Sequence, residues 1–181
     1  VVNRLLSENK KVRVVVRPGK TVFWENVDVY NCDFAMDRNI KREMFHGVDV
    51  IIHLAKSNPK STLFSFKKKA ISRRPHSCWT IDFARQAASC GVKRFIFVSS
   101  IKVNGEFTSG QERFTALSSP NPSSAYGRYK AKLEDGIRET CAQSEMEFVI
   151  VRPPLVYGPG VSGNIGLLIK LLKMGLPLPF G

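Results

Sequence analysis

The sequence predicts an α/β fold with a doubly wound parallel sheet of Rossmann type, and three observations predict it. Short runs rich in Val, Ile and Phe recur along the chain, each closed by Gly, Pro or a polar turn residue. Longer stretches between them carry apolar residues at helical spacing, and that alternation builds βαβ units around a parallel sheet. One run, VDVIIHLA at 48–55, is almost uninterruptedly apolar, the pattern of a strand covered on both faces.

In order along the chain, residues 1–9 read as the end of a helix, with Val2, Leu5 and Leu6 apolar at helical spacing. KVRVVVRPG (11–19) is a β-branched run closed by Pro-Gly, hence a strand. VDVYNCDF (27–34) is a second, shorter strand, and Asp37 begins a polar helical stretch to about Phe45. After the strand at 48–55, a helix covers about 79–90, with Gly91 placed as its C-cap. KRFIFVSS (93–100) is another buried strand, and a long helix runs from about 124 to 144. EFVIVRP (147–153) gives a last strand and NIGLLIKLLKM (164–174) a last helix. No internal repeat or clear linker interrupts the chain, so one domain over 1–181 is expected. Right-handed crossovers and a nucleotide site at the carboxyl ends of the strands follow from the class.

Composition narrows the function. The 181 residues, 43% of them hydrophobic, suffice for a globular core. No apolar run approaches the roughly 20 residues that span a bilayer, and the opening VVNRLLSENKKVRVVV lacks a signal-peptide pattern, so a cytoplasmic location is expected. Cys32, Cys78, Cys90 and Cys141 show no metal-binding spacing and read as reduced thiols. His46, His53 and His76 form no helical pair, and His53, inside an apolar run, reads as a buried structural histidine. The net charge of +13 raises the question of nucleic acid. Lys56, Lys60, Lys67, Lys68, Lys69, Arg73 and Arg74 all fall between 56 and 76, a stretch without Asp or Glu. The rest is mildly basic and has no aromatic interleaving or recognition-helix pattern, so no nucleic-acid partner is expected.

The residues able to do chemistry cluster late in the chain. In PSSAYGRYK (122–130), Tyr126 and Lys130 are four apart on a helix and share one face. An ammonium beside a phenol favours the phenolate and lowers a pKa that starts near 10, which makes a general acid/base. Alone, such a pair more often marks a solvated helix face. Upstream, a buried strand ends in Ser99-Ser100, where a hydroxyl can donate to and accept from a ligand oxygen, or simply cap the next turn. Downstream, RPPLVYGPG (152–160) supplies a rigid Pro/Gly loop suited to lining the same crevice.

The order HLA (53–55), GVKRFIFVSS (91–100), KVNGE (102–106), AYGRYKAKLE (125–134) and RPPLVYGPG (152–160) resembles the extended short-chain dehydrogenase/reductases, the NAD-dependent epimerase/dehydratase family. Within it the chain is most similar to UDP-glucose 4-epimerase-like and UDP-N-acetyl-quinovosamine dehydrogenase-like members. The resemblance covers nearly everything except about 56–78. It implies a catalytic acid/base at Tyr126, a lysine at Lys130 that holds the nicotinamide ribose and depresses the Tyr126 pKa, and a Ser100 that bonds the reacting sugar oxygen. It places Asp33 near the adenine, Leu54 and Ala55 along the pyrophosphate and Pro153 on the nicotinamide side, with Phe34 and Ser99 also among the cofactor contacts. Asn164 is either a contact for the substrate phosphates or an ordinary N-cap. Arg17 stands where an Asp would accept from the NAD ribose, and an Arg there accommodates the NADP phosphate. NAD is the expected cofactor, with NADP as the alternative. The implied reaction is hydride transfer on a nucleotide-diphosphate sugar, ending as epimerisation, dehydration or reduction. Two other readings are a different extended short-chain reductase, acting on a ketone or hydroxysteroid, and an inactive cofactor-binding fragment. The complete protein is expected to be a homodimer with its substrate-binding region starting after about 153.

Three departures shape the fold expectation. The chain has no GxxGxxG loop, and VVNRLLSEN resembles the second half of the helix that should follow it, so roughly 15–20 residues are expected in front. With strand order 3-2-1-4-5-6 the absent first strand belongs in the middle of the sheet, which leaves unpaired backbone groups on both sides of a gap. Residues 1–181 alone are therefore expected neither to fold stably nor to bind cofactor well. The family's C-terminal substrate portion is likewise expected beyond Gly181. Finally, 56–78 replaces an Ala-rich, acidic segment, with Thr80 in place but His76 where an Asn is expected; either compensating frame slips or a divergent surface loop would account for it.

Overall fold

The structure, a computed structural model, describes residues 1–33, 41–55, 76–110, 112–161 and 163–175. Helix α1 (Val2–Ser7) leads into strand β1 (Val12–Val16), which pairs in parallel with β2 (Val27–Asn31). A 3-10 turn at Arg42–Phe45 stands at the end of the predicted polar helix, whose first part lies outside the described residues. Strand β3 (Val50–His53), helix α2 (His76–Ser89), strand β4 (Arg94–Val98), helix α3 (Ala125–Ala142), strand β5 (Glu147–Val151) and helix α4 (Gly163–Lys173) complete the order. Every strand and helix end falls within a few residues of its sequence reading. Gly91, at φ +81°, ends α2 in the left-handed conformation that glycine adopts without strain.

The strands form two parallel sheets, β1-β2 and β3-β4-β5. The break lies between β1 and β3, where the sequence reading placed a missing central strand. β1 and β3 thus each keep one edge unpaired among the described residues.

Burial explains the three-stranded sheet. Register pairs Ile51 with Phe95 and His53 with Phe97, and β4 continues Phe97 to Ile150, so these side chains share a face. On that face Phe95 and Phe97 pack with Phe83, Ala84 and Ala87 of α2 and Leu133 and Ile137 of α3. The two helices touch closely at Gly136, where any Cβ would collide with the Ile81 side chain. The opposite face is more open: Val50, Val149 and Val151 are each about two-fifths exposed. His53 is buried between Trp79 and Phe97, with ring centroids 5.4 and 5.9 Å away, in keeping with a structural histidine. Cys32 and Cys141 are buried and Cys90 half-buried; the Cys78 side chain lies outside the described residues. Among the described residues no helix is long and apolar enough to cross a membrane, and no cluster of three or more His, Cys, Asp or Glu could hold a metal.

Candidate active site

The site is built where β4 ends. Beyond Val98 the chain leaves the sheet through Ser99 and Ser100 into a 3-10 turn, Ile101–Val103. Ser100 takes an extended backbone (φ −158°, ψ 147°), and its hydroxyl accepts from the Lys102 amide at 3.3 Å, so it caps this turn. Ser99 points the other way, into the protein, and donates to the Glu134 carboxylate at 2.5 Å. The Ile101 amide donates to the Pro153 carbonyl at 3.0 Å, which binds the turn to the loop after β5.

Helix α3 enters from the other side. The Ser124 hydroxyl caps it by accepting from the Gly127 amide at 3.1 Å. Its first turn then lies directly on the 3-10 turn. A Cβ at Gly127 would run into the Lys102 carbonyl oxygen and come within 2.9 Å of the Pro122 Cβ. Only glycine permits that approach, and it brings Lys102 into the electrostatic neighbourhood of Tyr126.

Lys130, one turn further, is 5% exposed. Its amine donates to the Val98 carbonyl at 2.9 Å and stands 4.6 Å over the Phe97 ring. Burial lowers its pKa to about 8, against the pull of Glu134, which raises it. Tyr126 is half-buried, and desolvation raises its phenol pKa above the ordinary value while Lys102 works to lower it. The expected depression of Tyr126 by Lys130 is thus replaced by a net rise. The lysine that acts on the phenol is Lys102, because the Lys130 amine is turned toward Val98.

The structure gathers Ser99, Ser100, Tyr126, Lys130 and Pro153 around the carboxyl ends of β4 and β5. Leu54, exposed, and Ala55, half-buried, follow the end of β3, whose His53 pairs with Phe97 of β4. Arg17, exposed, and Asp33, half-buried, follow the ends of β1 and β2 in the other sheet. Strands run parallel within each sheet, so Leu54, Ala55, Ser99, Ser100 and Pro153 follow carboxyl ends in one sheet, and Arg17 and Asp33 follow those of the other. Asn164 falls in the first turn of α4, but its side chain lies outside the described residues, as does Phe34 altogether.

Sequence reasoning assigned nothing to Glu134, Arg152, Asn104 or Lys102. Glu134 is 1% exposed and accepts from Arg152 through both Nε (3.0 Å) and Nη2 (2.6 Å). Its signal was present: it continues the Tyr126-Lys130 spacing by four more residues, between Leu133 and Ile137 on the buried side of the helix.

The model of the NAD dependent epimerase/dehydratase family matches residues 1–180. A Vibrio cholerae UDP-glucose 4-epimerase is 45% identical over 109 residues, 60% of this chain and 33% of that protein. A Caulobacter vibrioides ceramide reductase is 30% identical over 174 residues, 92% of this chain and 45% of the relative. Among solved structures, MoeE5 in complex with UDP-glucose and NAD superposes with a TM-score of 0.76 at 21% identity, covering 98% of this chain and 57% of MoeE5. The chain therefore spans about half the length, or less, of the first proteins it matches.

Proposed function

The chain belongs to the NAD dependent epimerase/dehydratase family, and on that premise we propose that the complete protein is a nucleotide-diphosphate-sugar epimerase, dehydratase or dehydrogenase of the UDP-sugar 4-epimerase kind. The observation that carries this reading is the Tyr126–Lys130 helix face lying against the Ser99-Ser100 end of β4. A lysine amine with a pKa near 8 and a half-buried phenol stand there, beside the carboxyl end of β4.

In this reading Tyr126 Oη takes the proton from a sugar hydroxyl and returns it, and Ser100 Oγ holds the same oxygen. Of the three ammonium donors of Lys130, one goes to Val98 and the others hold ribose hydroxyls, while Lys102 is the cation that favours the phenolate. The residues fit a dinucleotide: parallel strand ends, a buried cation, and Asp33 and Arg17 at the ends of the neighbouring strands. NAD, when bound, supplies hydride acceptance and return. Arg17, Asp33, Phe34, Leu54, Ala55, Ser99 and Pro153 would line it, with NADP as the alternative through Arg17. Asn164 would contact the substrate phosphates. Residues 1–181 would supply most of the cofactor domain, with the substrate region starting after about 153, in a cytoplasmic homodimer.

A second reading, an extended short-chain reductase acting on a ketone, is favoured by the likeness to a ceramide reductase. The test gives the full-length protein UDP-glucose with NAD, or a long-chain ketone with NADH as the hydride donor. Sugar interconversion that Tyr126→Phe abolishes supports the first reading. Turnover of the ketone alone supports the second.

A further inference from the structure

A buried polar network joins the elements that carry the site, and of its members the proposed chemistry uses only Ser99, as a cofactor contact. Glu134 accepts from Ser99 and from Arg152; Arg152 also donates to Asn104 Oδ1 at 3.2 Å and to the Ser118 carbonyl at 3.3 Å. Asn104 Nδ2 donates to that same carbonyl at 3.3 Å. The Glu134 and Arg152 side chains are only 1% and 13% exposed. A buried ion pair is a poor stabiliser compared with an apolar pair of the same volume, so stability alone does not explain it.

Its geometry gives it a task. Two consecutive residues at the end of β4 are tied to two consecutive turns of α3: the Val98 carbonyl to Lys130, and the Ser99 hydroxyl to Glu134. One tie would leave the helix free to slide or roll on the strand; two fix both motions. Arg152 adds the end of β5 and the turn that carries Asn104. We propose that Glu134, held by Arg152, is the positioning residue of this site: it locks α3 onto the end of β4 and so sets where Tyr126 and Lys130 stand. The inference rests on the Tyr126–Lys130 reading above.

Charge gives a readout beyond structure. The groups around the Lys130 amine are Glu134 on its own helix, with Tyr126 a turn before it and Arg138 at 3.9 Å from Glu134. Lys102 comes from the turn after β4, Arg152 from the end of β5, and His53 lies beyond the Phe97 ring. Glu134 is the one that opposes the burial-driven fall of the Lys130 pKa.

The experiment compares the wild-type full-length protein with Glu134→Gln, the double variant E134M/R152M, and Tyr126→Phe as control. Thermal melting, kcat and KM with NAD and UDP-glucose, and the NMR titration of the Lys130 amine are read for each. The expected result is a Lys130 midpoint about half a unit or more below wild type in both Glu134 variants. With it goes a roughly tenfold to hundredfold fall in kcat at a KM within about threefold, the double variant melting like wild type. An unchanged Lys130 midpoint and kcat in a folded variant overturns the inference. So does failure of both Glu134 variants to fold, which would leave them a structural part only. Wild-type turnover in Tyr126→Phe overturns the catalytic reading instead, and the Lys130 titration still judges Glu134.

Discussion

The Lys130 amine donates to the carbonyl oxygen of Val98 at 2.9 Å, one helical turn from Tyr126. That bond turns the amine into the protein, where burial lowers its pKa to about 8. The cation is therefore complete only below about pH 8. The Tyr126 phenol titrates above its ordinary value, outside this range. If the cation serves the reaction, kcat/KM of the full-length protein falls as pH rises through about 8. A profile flat from about pH 7 to pH 10 would remove Lys130 from the mechanism.

The same shift makes a stability prediction of known sign. Unfolded, the Lys130 amine titrates at its ordinary 10.5; folded, at about 8. Between those values the unfolded chain binds more protons, so stability rises with pH across the window, by at most about 3 kcal/mol. Below about pH 8 the buried cation costs that net amount. Lys130→Met is accordingly expected to match or exceed wild-type stability at neutral pH and to lose the alkaline rise. Urea midpoints at neutral and alkaline pH check it, and a variant markedly weaker at neutral pH contradicts it.

Gly127 offers a test of position without any change of charge. A methyl there meets the Lys102 carbonyl, which cannot move without shifting the turn that Ser100 caps. Gly127→Ala is expected to cost about 1–3 kcal/mol by overpacking and to lower kcat more than the loss of stability explains. Thermal melting and steady-state kinetics together decide it. Wild-type kcat would mean that the approach of helix and turn is incidental to Tyr126.

What the sequence revealed, and what it hid, follows from the range of each force. Strands such as Arg94–Val98 and the helices His76–Ser89 and Ala125–Ala142 were legible because their patterns are local: β-branched and aromatic runs, apolar periodicity and, for the first helix, the closing Gly91. The split between β1 and β3 was legible because strand order is constrained by class. The direction of the Tyr126 shift was not. Spacing alone put Lys130 nearest the phenol, whereas the fold turned that amine to Val98 and brought Lys102 in through Gly127. The Ser99–Glu134 bond spans 35 positions, and no window on the sequence joins its ends.

Two ion pairs on neighbouring elements separate surface from interior. Arg94 and Glu147 pair across β4 and β5 with side chains 50% and 65% exposed, and Arg94 Nε lies 2.8 Å from the carboxylate. Arg152 and Glu134 pair in the interior. Arg94→Ala is expected to cost less than about 1 kcal/mol, since water screens such pairs. Arg152→Met, which strands a buried carboxylate, is expected to cost about 3–5 kcal/mol. Denaturant midpoints measured side by side test the contrast, and equal losses would mean that the interior pair is as wet as the exterior one.

The last expectation concerns residues 1–181 prepared by themselves. β1-β2 is a two-stranded sheet, and both β1 and β3 keep an unpaired edge among the described residues. Two strands are marginal in water, and backbone groups left unpaired in an interior weaken whatever surrounds them. The core lies mainly under α2 and α3 on the β3-β4-β5 sheet, built on Phe83, Phe95, Phe97 and Leu133, while Val15 of β1 and Tyr30 of β2 are only partly buried against it. Urea should therefore disturb β1-β2 well before the larger unit, and the chain should lack a single cooperative transition. Hydrogen exchange resolves the two: fast exchange at Val14 and Val29 with protection retained at Phe95 and Phe97 is the expected result. One sharp transition with uniform protection would show that the two sheets already support each other, and that the gap between them costs the fold little.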